Sequence, residues 1–336
     1  MVDATHISFR ADDRSYFSIL KKEIHSRVSE VGFSSKKLGE IDIIVSEMTS
    51  NLSKYAVDGE ILFSYDKDLR GDYFEILSID NGPGMSDPAK MMTDGISTTN
   101  TLGHGLGSIK RLSDKFELYS QKGWGTIALS RVYREEAFKP VRPAVELRRL
   151  VVSKPGETTS GDGCYWEYGD KYFKLLVADG LGHGIEANKA VNEAVKAFKE
   201  CSSVDPVEII RHIHTAIRKT RGIVGTVALF DRNTKVWNFA GIGNISMKLL
   251  SILNSKNYIS YNGIIGHNIP TTMKAQSCTN NEFNQMILCS DGLKSRWDNS
   301  KYPLINKYDL SILAAALYKD FARRTDDMSV VIARSF

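Results

Sequence analysis

Hydrophobic and polar positions alternate with two different periods along this chain. Residues 12–31 place Tyr16, Ile19, Leu20, Ile24 and Val28 at helical spacing. Gly32-Phe33-Ser34-Ser35 breaks that pattern and offers a serine cap to a second helix over 36–56. The stripe of the second helix is Ile41, Ile44, Val45, Met48, Leu52 and Tyr55. Glu47 and Asn51 are four apart, so they share a face beside Ile44, at the edge of the stripe. Polar groups there look across the sheet-packing surface into a cleft. Strand patterns follow over 60–65, 73–79, 116–120 and 126–133, the last two around a turn at Lys122-Gly123-Trp124-Gly125. Between the two pairs lie a polar stretch over 94–101 and a glycine-rich helix start at Gly103, Gly105 and Gly107. Pro140 and Pro143, in a short basic stretch, read as a semi-rigid spacer and a domain boundary.

The second half repeats one device. An apolar run, Leu175 to Ala178, stops at Asp179-Gly180-Leu181-Gly182-His183-Gly184, and a helix follows over 185–200. A carboxylate at a strand tip beside bare glycine backbone lets a hard cation reach oxygen ligands without a side-chain clash. Upstream lies Ser160-Gly161-Asp162. If Gly169-Asp170 forms a two-residue hairpin loop, Asp162 sits opposite Val177. Asp179 is then its diagonal neighbour on the same face, about 7–8 Å away. Met286 to Cys289 is another apolar run, ending at Ser290-Asp291-Gly292, while Asp326-Asp327 leads into a strand over 328–332. Further helices are predicted over 206–220 and 310–322, and strands over 225–230, 236–240 and 246–250. Four strand-end acids in one domain suggest two cations and metal-assisted hydrolysis.

Composition narrows the classes. The 336 residues suffice for two cores, and a formal charge of +4 gives no reason to invoke nucleic acid or membrane. No apolar run is long enough to span a bilayer and no signal peptide is evident. Cys164, Cys201, Cys278 and Cys289 lack metal-type spacing, so reduced thiols in a cytoplasmic protein are expected.

Ser-Gly-Asp, Ala-Asp-Gly-Leu-Gly-His-Gly, Ser-Asp-Gly and Asp-Asp-Met-Ser-Val, in that order over 146–336, resemble PPM-type protein serine/threonine phosphatases of the SpoIIE branch. The resemblance implies a β-sandwich flanked by helices, with two Mn²⁺ or Mg²⁺ ions at one end. It implies that Asp179 bridges both ions, that Asp162 and the Gly180 carbonyl complete one site, and that Asp291 and Asp326 hold the other. It also implies direct attack of a metal-held water on phosphorus, without a phosphoenzyme. His183 and His104 read as spacers or helix-start residues. Arg323 and Arg324 are candidates for phosphate contact, and Asp327 for orienting Asp326.

In the first half, bare N–H groups at a glycine-rich helix start suit an anion. Asp80 could accept from the exocyclic amine of a base, and Asn51 could hold a divalent ion on phosphates. Glu47 with Asn51, Asp80 with Gly82 and Gly84, and Gly103, Gly105 and Gly107 together resemble the GHKL ATPases, specifically the anti-sigma-factor serine kinases of the RsbW and RsbT kind. The resemblance covers about residues 1–135. It implies an α/β sandwich, Mg-ATP under a lid over 93–103, and Glu47 as general base.

The expected organisation is thus α/β (α+β) in two domains, a GHKL-type α/β sandwich over 1–137 and a PPM-type β-sandwich over 146–336, joined by a linker over 138–145. The expected substrate is a phosphorylated STAS-domain protein, with a sigma factor or similar regulator as a second partner. Pairing of such kinases through the ATP domain makes a homodimer the expected assembly. The competing readings are a phosphatase whose first domain only senses ATP or docks a partner, and a module that sequesters a sigma factor.

Overall fold

The computed structural model describes residues 5–11, 15–91, 105–136, 143–251 and 254–336. In chain order the elements are β1 (Ile7–Arg10), α1 (Ser15–Glu30), α2 (Ser35–Tyr55), β2 (Glu60–Asp68), β3 (Gly71–Asp80), α3 (Pro88–Met91), α4 (Gly105–Leu112), β4 (Lys115–Gln121), β5 (Gly125–Tyr133) and β6 (Val145–Val152). Then come β7 (Asp162–Tyr168), β8 (Tyr172–Gly180), α5 (Gly184–Glu200), α6 (Pro206–Ala216), β9 (Ile223–Asp231), β10 (Val236–Ile242), β11 (Ser246–Leu250) and β12 (Ser255–Tyr258). The chain ends with β13 (Gln276–Thr279), β14 (Gln285–Cys289), α7 (Leu310–Phe321) and β15 (Met328–Ser335). Among the described residues no helix is long and apolar enough to cross a membrane. The four cysteines are buried and unpaired with one another.

The chain divides into two compact units. One comprises His6–Arg142 together with Ser300–Ala316, and the other Pro143–Asn299 with Leu317–Phe336. The first is an antiparallel sheet in the order β1-β2-β3-β5-β4 with α1, α2 and α4 against one face. Ser34 caps α2 as expected, its Oγ accepting the Lys37 N–H at 3.3 Å. The stripe Ile41, Ile44, Val45, Met48 and Leu52 is buried, as are Leu20, Ile24 and Val28 of α1. Tyr16, Ile19 and Tyr55 depart from the expected pattern and lie exposed. Tyr16 and Tyr55 fall in terminal turns that overhang the sheet, and Ile19 is one residue, about 100°, off the buried row.

The other face of this sheet is buried as well. Lys115, Arg131 and Glu75 are cross-strand partners in one row over β4, β5 and β3. Ser300–Ala316 lies on that row. Arg131 donates to Glu75, and at 3.1 and 3.2 Å to the Asp309 carboxylate, while Lys115 Nζ reaches Asp309 at 2.6 Å. Tyr308 and Tyr302 pack edge-on against Tyr119 and Trp124. Burial alone would lower the Arg131 pKa, but Asp309 and Glu75 hold it well above its ordinary value.

The second unit stacks two antiparallel sheets, β13-β10-β9-β8-β7 and β12-β11-β14-β15-β6. Val177, Phe230, Trp237, Leu288 and Val331 meet between them. The outer face of the first of these sheets is covered by α5 and α6 through Ala190, Ala194, Phe198, Ile210 and Ile213.

Because Glu75 and Asp309 would be left buried and unneutralised, Arg131→Ala should destabilise the first unit by about 3–5 kcal/mol. Denaturant unfolding followed by Trp124 fluorescence measures this, and a loss below about 1 kcal/mol would contradict the network's structural role.

Candidate functional site

In the hairpin of β7 and β8 the register differs by two residues from the one expected. Asp162 pairs directly with Asp179, and Cys164 with Val177. The loop centres on Asp170-Lys171, with Gly169 N–H donating to Tyr172 O at 2.9 Å. Gly169 does not take the positive φ that a Gly-Asp turn would exploit. Arg232, from the neighbouring hairpin turn, donates instead to the Gly169 and Asp170 carbonyls at 3.1 and 2.8 Å. A two-residue shift preserves the face but brings the two carboxylates from diagonal to opposite, where Cβ atoms are about 4.5–5.5 Å apart.

The remaining acids gather around this pair. Asp179 is pushed up to about 9 by burial and by the fields of Asp162, Asp291, Asp326 and Asp327. Asp162 is pushed up to about 7, by burial first and then by Asp327 and Asp291 against the hydrogen bond from Ser290. Ser290 Oγ donates to Asp162 Oδ2 at 2.5 Å and accepts the Ser329 N–H at 2.9 Å, tying β7 to the opposite sheet. Asp162 Oδ1 is buried without a hydrogen bond of normal geometry, the nearby Ser329 hydroxyl, itself buried and unpaired, acting on the carboxyl only enough to lower its pKa against the effect of burial. Asn244 Nδ2 donates to Asp291 Oδ2 at 2.8 Å. Asp327 accepts from the backbone N–H groups of Lys154 and Gly161, both at 2.8 Å, so it shapes the loop before Asp162. Asp326 accepts the Asp327 N–H at 3.0 Å.

Among the described residues no group of three or more His, Cys, Asp and Glu side chains is placed so as to hold a metal ion. The orphaned buried oxygen of Asp162 and the mutual repulsion that raises both pKa values are nevertheless what divalent cations would relieve. An all-oxygen donor set suits Mg²⁺ or Mn²⁺. Gly180 admits no side chain, since a Cβ there would lie 2.4 Å from the Ala187 carbonyl of α5.

His183 begins α5 and pairs with Glu157 at 2.8 Å. Arg324 stacks over the Tyr318 ring at 5.2 Å, and Arg323 anchors its N–H on the Gly292 carbonyl at 2.8 Å. In the sequence Ser290 stands out only as the neighbour of Asp291, and Asn244 does not stand out at all. Their roles follow from partners 128 and 47 residues away.

The first unit assembles a second polar cluster. A Cβ on Gly105, at the start of α4, would lie 2.7 Å from Glu47 Oε2 and 3.9 Å from Asn51 Oδ1. The first and third boxes of the sequence therefore meet, and glycine keeps the space between them open. Asp80 Oδ1 accepts the Gly82 N–H at 2.7 Å at the end of β3. Gly84 has φ +66°, and a Cβ there would collide with the Gln121 carbonyl. Gly107 is buried in α4. Gly103, His104, the lid over 93–103 and linker residues 138–142 lie outside the described residues.

Comparison with known proteins finds a separate match for each half of the chain. The histidine kinase-like ATPase domain family matches residues 9–130, and the stage II sporulation protein E (SpoIIE) family matches residues 169–336, half of the chain. Serine/threonine-protein kinase RsbT of Bacillus subtilis (strain 168) is 39% identical over 97 residues, 29% of this chain and 73% of that protein. Phosphoserine phosphatase RsbX of the same organism is 26% identical over 144 residues, 42% of this chain and 71% of that protein. A solved structure from work on the bacterial stressosome, described as a modular system adapted to control secondary messenger signalling, has a TM-score of 0.53. It is 26% identical and spans 57% of this chain and 100% of its own. The crystal structure of RsbX in complex with magnesium has a TM-score of 0.52 at 20% identity, over 59% of this chain and 98% of its own, a likeness of fold.

Two outcomes follow from the acid cluster. A carboxyl whose folded pKa exceeds its unfolded value stabilises fully below the unfolded pKa, and that stability is lost as pH rises through the folded pKa. In chelator the thermal midpoint of the second unit should therefore fall as pH is raised from about 5 to about 9, through the raised values of Asp162 and Asp179. Mn²⁺ should restore it most at the alkaline end. A midpoint flat with pH and indifferent to metal would refute the crowding. Separately, Asn244→Ala should weaken Mn²⁺ binding about tenfold to a hundredfold by calorimetry, because it frees Asp291 to turn.

Proposed function

The chain belongs to the SpoIIE family and carries a histidine kinase-like ATPase domain ahead of it, and from that premise we propose a phosphorylation switch with both directions on one polypeptide. The second unit removes phosphate from serine or threonine of a STAS-domain protein. The first binds Mg-ATP and phosphorylates the same or a related partner. The observation that carries this is the carboxylate pair Asp162 and Asp179, directly opposed, with one buried oxygen unsatisfied and three more acids in their field. The likenesses to RsbT and RsbX, a named kinase and a named phosphatase, support the assignment of the two directions.

Asp162, Asp179, the Gly180 carbonyl, Asp291 and Asp326 would hold two divalent ions. When bound, such ions supply a nucleophilic water at neutral pH and neutralise charge on phosphoryl oxygens. The protein's own part is positional. Ser290 fixes the Asp162 carboxylate through Oδ2 and leaves Oδ1 to the cation. Asn244 orients Asp291, and Asp327 pins the Gly161 backbone so that Asp162 enters β7 facing Asp179.

In the first unit Asn51 would hold the ion on the phosphates, Asp80 would accept from the base, and the N–H groups at Gly105 and Gly107 would receive phosphate oxygens. Gly82 and Gly84 let the backbone turn close beside Asp80. Gly103 completes the third box in this proposal. Glu47, half-buried beside Gly105, is placed to take the proton of an attacking hydroxyl.

Purified protein with Mn²⁺ and a phosphorylated STAS-domain protein should release phosphate, and Asp179→Asn should abolish the release. With ATP, the parent should phosphorylate the unmodified partner, and Glu47→Ala should lose this while still binding nucleotide. Absence of phosphate release from the parent refutes the phosphatase assignment. Absence of phosphotransfer leaves the first unit as a nucleotide sensor.

A further inference from the structure

The connection between α6 and β9 carries Thr220-Arg221-Gly222 across the glycine-rich turn that follows Asp179. Leu181 N–H donates to the Gly222 carbonyl at 3.1 Å, so the two segments are held side by side. A Cβ on Gly182 would lie 3.0 Å from Arg221 Nη1. The guanidinium therefore rests over the Gly182 backbone, two residues beyond Gly180 and three beyond Asp179.

The Arg221 backbone is fixed from several sides. His267 Nε2 donates to the Arg221 carbonyl at 2.8 Å, and Gly222 N–H donates to Thr220 Oγ1 at 3.1 Å. Gly222 itself takes φ +80°, and a Cβ there would lie 2.7 Å from His267 Cδ2 and 2.8 Å from Ile264. The turn thus admits glycine alone, and it delivers Arg221 to one place.

The side chain is nevertheless exposed, and among the described residues no carboxylate lies within ion-pair distance of it. Its one resolved electrostatic influence is on Glu186, whose carboxyl is held below its usual range first by Lys189 and least by Arg221. An arginine held over the turn three residues beyond Asp179 would be expected to pair with a carboxylate of the cluster if its purpose were to neutralise it. Instead its donors remain open on the solvent side. A planar guanidinium fork matches two oxygens of a phosphoryl group.

We propose that Arg221 clamps the phosphoryl oxygens of the phosphoserine or phosphothreonine side chain as it enters the metal site. The assignment rests on the phosphatase reading above. It differs from the expectation placed on Arg323 and Arg324, of which the second stacks its guanidinium on Tyr318; the same binding measurement on Arg323→Ala, expected to leave phosphate affinity unchanged, separates the two arginines.

The test is calorimetric binding of inorganic phosphate to the full chain in Mn²⁺, with KM for a phosphorylated STAS-domain protein as a second readout. Arg221→Ala should weaken phosphate binding about tenfold to a hundredfold, the range of one charge-assisted contact. It should raise KM comparably and leave Mn²⁺ affinity and the thermal midpoint unchanged. Arg221→Lys, which keeps the charge without the fork, should recover only part of the loss. Phosphate affinity within twofold of the parent in Arg221→Ala overturns the clamp. So does full recovery in Arg221→Lys, which would reduce the role to charge alone. If the parent binds phosphate through Arg221 but releases none from a phosphoprotein, the clamp stands and the hydrolytic reading falls.

Discussion

Strand pairing forces like charges together in the second unit. Asp162 and Asp179 face one another because the hairpin closes at Asp170-Lys171, and β14 and β15 bring Asp291, Asp326 and Asp327 into the same field. Folding therefore sets exposed Asp291 and Asp326 beside carboxylates that burial takes out of water, above all Asp162 and Asp179. Two answers are available to such a cluster, proton uptake or cation uptake. The first keeps the fold and leaves it chemically idle. The second converts a destabilising arrangement into a tool, so metal binding and stability become one equilibrium.

What holds the acids in place is mostly not acidic. Ser290 bridges the two sheets, Asn244 steadies Asp291, and Asp327 spends both oxygens on backbone N–H groups. Close approach of α5 depends on the missing side chain of Gly180, against which Ala187 packs. Small residues along α5 continue that approach through Ala190 and Ala194. A shift of α5 would therefore be felt directly at the backbone between Asp179 and the turn under Arg221.

Features encoded within a few residues were legible in the sequence. The acid-tipped strands, the serine cap of α2 and a helix opening at Gly105 depend on local conformation, and the structure has them where the pattern put them. The Glu47 and Asn51 pair was visible from its spacing alone. Features set by distant partners were not legible. The hairpin turn is braced by Arg232, which belongs to another turn, and its register was not readable from the Gly-Asp pair alone. The exposure of Ile19 depended on which row of α1 met the sheet. Nothing near Gly182 hinted at Arg221, which arrives through the fold. Arg131 and Asp309 are 178 residues apart, and in sequence each looks like an ordinary surface charge.

That last pair bears on how such a chain can be assembled or dismantled. The proline-containing linker marks where composition changes, yet burial crosses it, because Ser300–Ala316 belongs to the same compact unit as His6–Arg142. Severing the polypeptide at the linker would strip the β3-β5-β4 surface of Asp309 and its neighbours, leaving Arg131, Glu75 and Tyr119 to water. Recombination that exchanged the second half for another would have to bring a matching tenant for that surface. The first unit is accordingly completed by a segment that lies far beyond the linker in sequence.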